Sequence, residues 1–102
     1  MTLEFLPQAE QEAADAIMYY EQAEPGLGVR FRKEVESATS AILSHPLLWR
    51  QRPSGYRRVN LPGFPFYVAY DLRGERVRII AIGHTARQPG YFHRRLHGVS
   101  GD

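Results

Sequence analysis

The apolar positions of this chain change period once, near its middle. Leu3 and Phe5 flank Glu4, a short strand signal at period two. Pro7 suits the first turn of a helix, where its missing N–H is no loss. Over residues 8–22, Ala9, Ala13, Ile17 and Tyr20 fall on one helical face, and the acids in the first half of the segment favour a helix N-terminus. "AEPGLG" at 23–28 breaks the pattern with a proline and two glycines. Leu27, Phe31, Val35, Ala38 and Ile42 then form a second helical stripe, which should end near "SHP" because Pro46 disfavours helical geometry at His45.

From residue 56 the period is two. "YRRVNL" puts Arg57, Val59 and Leu61 on one face and Tyr56, Arg58 and Asn60 on the other. "PGFP" is a turn, "FYVAYDL" a strand, and "RGE" a hairpin connection in which Gly74 can take a positive φ. "RVRIIAIGH" completes a three-strand meander. The pattern predicts an α+β domain: a small antiparallel sheet, made of the meander plus an N-terminal strand, packed on one face by a two-helix hairpin. Strict alternation in the last strand groups Val77, Ile79 and Ala81 on one face and Arg78, Ile80, Ile82 and His84 on the other. Two helices cover only one face, so the other must meet the C-terminal tail, a partner or a substrate.

Length allows one domain spanning residues 1–102, with 96–102 expected as a flexible tail. The chain has no cysteine, which excludes disulfides, thiolate metal sites and Cys nucleophiles. The spacing of His45, His84, His93 and His97 gives no metal pattern, and neither metal nor cofactor is expected. No apolar run approaches a membrane span and no secretion signal is evident, so a cytoplasmic location without membrane contact is expected.

Charge adds more. Residues 1–49 hold eight acids against three bases, a net of −5, whereas residues 50–102 hold ten arginines against three acids, a net of +7. Twelve of the thirteen basic residues are arginine, the type suited to bidentate phosphate contacts and stacking. Such a division suggests a basic face for nucleic acid or for an acidic protein partner.

Four stretches in order, "LPQAEQEAADAIMYYE", "GLGVRFRKEVESATSAILSHP", "YRRVNLPGFPFYVAYDLRGERVRIIAI" and "GHTARQPGYFHRR", resemble the helices, central meander and closing segment of the RelE/ParE superfamily, the toxins of type II toxin–antitoxin modules that include plasmid-stabilisation proteins. The resemblance covers residues 3 to 95. It implies a growth inhibitor held in a hetero-oligomer by a cognate antitoxin, whose acidic tail would suit the basic half of this chain. Arg57, Ile80, Ile82, Phe92, Arg94 and Arg95 are the residues expected to meet a partner or target.

Two mechanisms follow from the resemblance. A RelE-like enzyme would cut mRNA on the ribosome without a metal: a 2′-hydroxyl attacks the adjacent phosphate while side chains move protons and cations stabilise the oxyanion. The residues standing in that pattern are Arg58, His84, Arg87 and Tyr91. A ParE-like toxin would inhibit DNA gyrase and need no bond-making site. The sequence departs from the ribonuclease pattern at Phe64, Pro65 and Phe66, where an arginine is usual, and at Thr85, where a basic residue is common. Those departures favour the gyrase-directed reading. A nucleic-acid-binding module without toxicity is the remaining alternative, though no recognised reading motif is present.

Overall fold

The computed structural model describes residues 1–96; residues 97–102, with His97 and nearly all of the expected tail, lie outside them. Eight elements follow in order: β1 (Thr2–Phe5), α1 (Pro7–Ala23), α2 (Leu27–Ser44), β2 (Arg57–Asn60), β3 (Phe66–Arg73), β4 (Arg76–His84), a 3-10 turn (Pro89–Phe92) and a short α3 (His93–Leu96). The sheet runs in the order β1-β4-β3-β2. Its meander β2-β3-β4 is antiparallel, as the alternating pattern requires. β1 joins the far side of β4 in parallel, Leu3 opposite Val77 and Phe5 opposite Ile79, so the sheet is mixed rather than wholly antiparallel.

The helical hairpin forms where the sequence places it. Pro7 opens α1, and Pro25-Gly26 separates the helices with Gly26 at φ 92°. No side chain of its own caps α2; the Glu21 carboxylate of α1 does so instead, accepting the N–H groups of Gly26 at 2.9 Å and Gly28 at 3.0 Å. The helices approach closely at Gly28, where a Cβ would lie 2.5 Å from the carbonyl oxygen of Ile17. Phe31, Val35, Ala38 and Ile42 enter the core with Val68, Tyr70, Val77 and Ile79 of the sheet. At the β3–β4 hairpin Gly74 adopts φ 60°, as that turn demands.

A bulge in β4 corrects the expected faces. Ala69 pairs with Ala81 and Tyr70 with Ile79, which leaves Ile80 as an extra residue. Ile80 and Ala81 therefore both point to the second face, into a cluster with Tyr56, Tyr67, Ala69, Phe92 and Leu96. Ile82 moves to the helix face with Val68, and His84 lies there against Phe66, ring centroids 5.1 Å apart. Alternation fails here because one inserted residue reverses every later side chain.

The second sheet face is covered by the chain itself. Phe92 is fully buried and Leu96, assigned to the tail, is 4% exposed. Under this cover lies a bidentate pair: Arg78 donates through Nε and Nη2 to the two carboxylate oxygens of Asp71 at 2.9 and 2.8 Å, and both residues are buried. The hydrogen bond to Asp71 holds the Arg78 guanidinium pKa above its usual value, against the opposing effect of burial.

Candidate functional site

Two surfaces carry the residues singled out by the sequence, on opposite faces of the sheet, and they meet at Arg87 and Tyr91. On the second face, guanidiniums and phenols alternate across the strands. The Arg58 guanidinium of β2 stacks 4.2 Å from the ring centre of Tyr67 on β3. Gly83 of β4 allows the next step, since a Cβ there would lie 2.7 Å from the Tyr67 hydroxyl and 2.9 Å from that of Tyr91. Arg87 then covers the Tyr91 ring at 3.6 Å, with Arg95 at 5.3 Å. The row Arg58–Tyr67–Tyr91–Arg87 thus gathers three of the four expected catalytic residues.

Tyr67 is the member that sequence reasoning missed. It shares the second face with Ala69, but nothing local marks its hydroxyl, which is buried and has no hydrogen-bond partner among the described residues. Burial raises its pKa, partly offset by Arg58. Tyr91 is pushed up to about 12, chiefly by burial and then by Glu12. Both phenols are neutral at pH 7, so the row can stack and donate hydrogen bonds but offers no base.

The fourth candidate, His84, lies on the helix face, yet it shares a cleft with two members of that row, Arg87 and Tyr91. Its Nδ1 accepts the N–H of Ala86 at 3.0 Å, which makes the neutral ring the Nε2–H tautomer and ties it to the turn. His84 lines a cleft of about 390 Å³ between α1 and the end of β4, with Phe66, Ile82, Arg87, Tyr91, Tyr20 and the carboxylates Glu12 and Asp15. Glu12 is paired with Arg95, and the acid Asp15 stands against Arg87 in this space, a balance short of the cations a phosphate calls for.

Glu12 has a second role. Leu6 N–H still reaches the Ile79 carbonyl at 3.0 Å, but Pro7 has no donor and turns the chain into α1, so β1 cannot follow β4 further. The Glu12 carboxylate accepts the Ile82 N–H at 3.0 Å, and Arg95 donates to the Ile80 carbonyl at 3.1 Å. The two side chains also pair with each other, at 3.1 Å through each oxygen. An ion pair thus completes the strand edge and fastens the C-terminal segment to α1.

The expected partner residues fare differently. Ile80, Ile82 and Phe92 are buried within the chain and present no surface. Arg57 donates to the Trp49 carbonyl at 2.6 Å and Arg95 is held by Glu12; only Arg94 of the six is exposed. The most exposed large apolar residues among those described are others: Leu47 and Leu48 after α2, Met18 and Tyr19 on α1. No group of His, Asp and Glu able to hold a metal exists among the described residues, and no described helix is long and apolar enough to cross a membrane.

The raised phenol pKa has a measurable consequence. A tyrosine whose folded pKa lies above its ordinary 10.0 contributes stability that is full below pH 10 and is lost as pH rises toward 12. Alkaline absorbance titration of Tyr91→Phe against the parent should show that the step removed lies near pH 12, not near 10. A missing step near 10 would mean that Tyr91 is open to solvent.

Comparison with known proteins agrees with this architecture. The family model for the ParE toxin of the type II toxin–antitoxin system parDE matches residues 3–89. The fold is similar to a solved chain of the chromosomal ParDE toxin–antitoxin system from P. aeruginosa, with a TM-score of 0.72 and 18% identity, covering 82% of this chain and 95% of that one. No curated protein matches in sequence. A parallel β1, a helical hairpin and an antiparallel meander stand where the structural likeness requires them, and the family match runs from β1 to the first residue of the 3-10 turn: the chain belongs to the ParE toxin family of type II toxin–antitoxin systems.

Proposed function

We propose that this chain is the growth-inhibiting toxin of a type II pair, that it acts by binding DNA gyrase rather than by cutting RNA, and that a cognate antitoxin with an acidic segment neutralises it in a hetero-oligomer in the cytoplasm. The observation that carries the reading is that no single space holds the whole expected catalytic set. His84 shares a cleft with Arg87 and Tyr91, but Glu12 and Asp15 line it too, while Arg58 lies across the sheet, stacked on Tyr67. Cleavage of a phosphodiester needs a base, an acid and cations within reach of one phosphate. Phe64 and Phe66, where the ribonuclease pattern has an arginine, pack against Phe31 at 5.0 and 5.1 Å between ring centres and serve the core. Inhibition by surface contact asks for none of these groups.

A RelE-like ribonuclease is the alternative, favoured by the row that brings Arg58, Tyr67, Tyr91 and Arg87 together. Adding the purified chain separately to a gyrase supercoiling reaction and to a translating extract distinguishes the two. Supercoiling should fail while mRNA stays intact. Ribosome-dependent mRNA cleavage, abolished by Arg87→Ala and Tyr91→Phe, would replace the gyrase reading with the ribonuclease one. Expression without growth arrest, with neither target affected, would remove both.

A further inference from the structure

The open edge of β2 carries a second basic hollow, remote from the cleft beside α1. It measures about 430 Å³ and is lined by Trp49, Arg50, Arg52, Arg58, Val59 and Asn60. Three guanidiniums therefore face one space that no carboxylate lines. None of the ion pairs among the described residues uses them; those pairs engage Arg73, Arg76, Arg78 and Arg95 instead. Like charges gathered this way repel one another unless an anion joins them.

The hollow is built rather than accidental. Its loop is fastened at several points: the Arg52 N–H donates to the Tyr56 carbonyl at 2.7 Å, and the Gly55 N–H to the Arg52 carbonyl at 2.8 Å, with Gly55 at φ 91°. The Trp49 carbonyl accepts from Arg57 at 2.6 Å, and the Pro46 carbonyl from the Tyr70 hydroxyl at 2.6 Å. Arg58 is held flat on Tyr67, and its buried Nε has no hydrogen-bond partner among the described residues. The Trp49 indole stands edge-on to Tyr70, which fixes its orientation at the rim.

We propose that this hollow binds one nucleotide unit, the phosphate between the guanidiniums of Arg50, Arg52 and Arg58, the base against Trp49 and Asn60. The components have separate tasks. Arginine forks match phosphate oxygens bidentately. The indole supplies a stacking surface that any base can use. The Asn60 amide, beside it on the strand edge, offers both a donor and an acceptor to a base. An acidic peptide would satisfy the guanidiniums, but it would leave the indole and the amide without a matched group. The site does not rest on the gyrase reading; it shares Arg58 with the ribonuclease set but lies at the sheet edge opposite β1 and contains neither His84, Arg87 nor Tyr91.

Trp49 is the single tryptophan of the chain, so its fluorescence reports on the hollow directly. The full-length protein is titrated with inorganic phosphate, a nucleoside 5′-monophosphate, a single-stranded 12-mer oligonucleotide and a glutamate hexapeptide. The mononucleotide and the oligonucleotide should quench Trp49 saturably, and phosphate should compete without quenching. Arg52→Gln and Arg58→Lys should each weaken binding roughly tenfold, the scale of losing one charge-assisted contact. Arg32→Gln, which removes an equal charge on the exposed side of α2, should leave it unchanged. Circular dichroism of each variant separates lost binding from lost folding. Oligonucleotide binding that is much tighter than mononucleotide binding and falls with salt identifies a nucleic-acid strand as the source of the unit; equal affinities identify a free nucleotide. Absence of saturable quenching, equal binding by the folded arginine variants, or tighter binding of the glutamate peptide would each overturn the proposal.

Discussion

Replacing Arg78 by alanine should cost about 3–5 kcal/mol of folding stability, the usual penalty for leaving one half of a buried ion pair without its partner. The side chains of Arg78 and Asp71 are 9% and 7% exposed, so the carboxylate would keep only the looser 3.5 Å pair with the exposed Arg73. A domain of this size holds only about 5–15 kcal/mol in total, so the variant would stand near the limit of folding. The loss should also reach the C-terminal cover, because Arg78 Nη2 lies 3.4 Å from the carbonyl oxygens of both Arg95 and Leu96. Urea unfolding measures the first effect, and proteolysis after Arg94 or Arg95 the second. The paired replacement Arg78→Met with Asp71→Leu should recover most of the stability, because two apolar groups of similar volume leave no charge behind. A single variant within about 1 kcal/mol of the parent would mean that the pair is hydrated, contrary to its burial.

Phe31→Ala should cost a comparable ~3–5 kcal/mol, by creating a cavity at the centre of an aromatic cluster. Phe31 is fully buried, and its ring lies 5.6 Å from Tyr20, 5.0 Å from Phe64 and 5.1 Å from Phe66, centre to centre. Tyr20 and Phe66 also wall the cleft shared by Glu12 and His84. The variant therefore tests whether that cleft depends on the core behind it. Phe31→Leu, which keeps most of the volume, should lose much less. Equal losses for the two replacements in urea unfolding would show that the site does not need a filled cavity. The same cluster explains why this chain has phenylalanine where a ribonuclease of the superfamily would carry arginine: the position is spent on holding helix to sheet, and a guanidinium there would have to be buried.

The helices and the meander were legible because their signals are local. Leu27, Phe31, Val35, Ala38 and Ile42 recur at the helical period, and four of those five are buried while Leu27 packs at the margin. Gly74 in "RGE" marks a two-residue hairpin, and the hairpin forms there. The resemblance to the RelE/ParE superfamily was equally readable, since it rests on the order of such pieces. Arg58, Arg87 and Tyr91 could be named as site residues from that resemblance, but their arrangement could not. His84 was grouped with Ile80 by alternation, and a single bulged residue sends it to the opposite face.

Consecutive letters were enough for the elements as far as β4, the helix stripe that forms the main core, the division of charge and the family. Tertiary structure alone decided the parallel pairing of β1, the bulge at Ile80, the return of Phe92 and Leu96 over the second face, and the pairing of Glu12 with Arg95 across 83 positions of the chain. Helical and strand periods arise from contacts within a few residues, so they are written in consecutive letters. A bulge or an edge-closing ion pair depends on which strand happens to end beside which. Pro7 stops β1 at Ile79, and only the folded chain reveals that Glu12 and Arg95 are the two residues in reach of the backbone left open there.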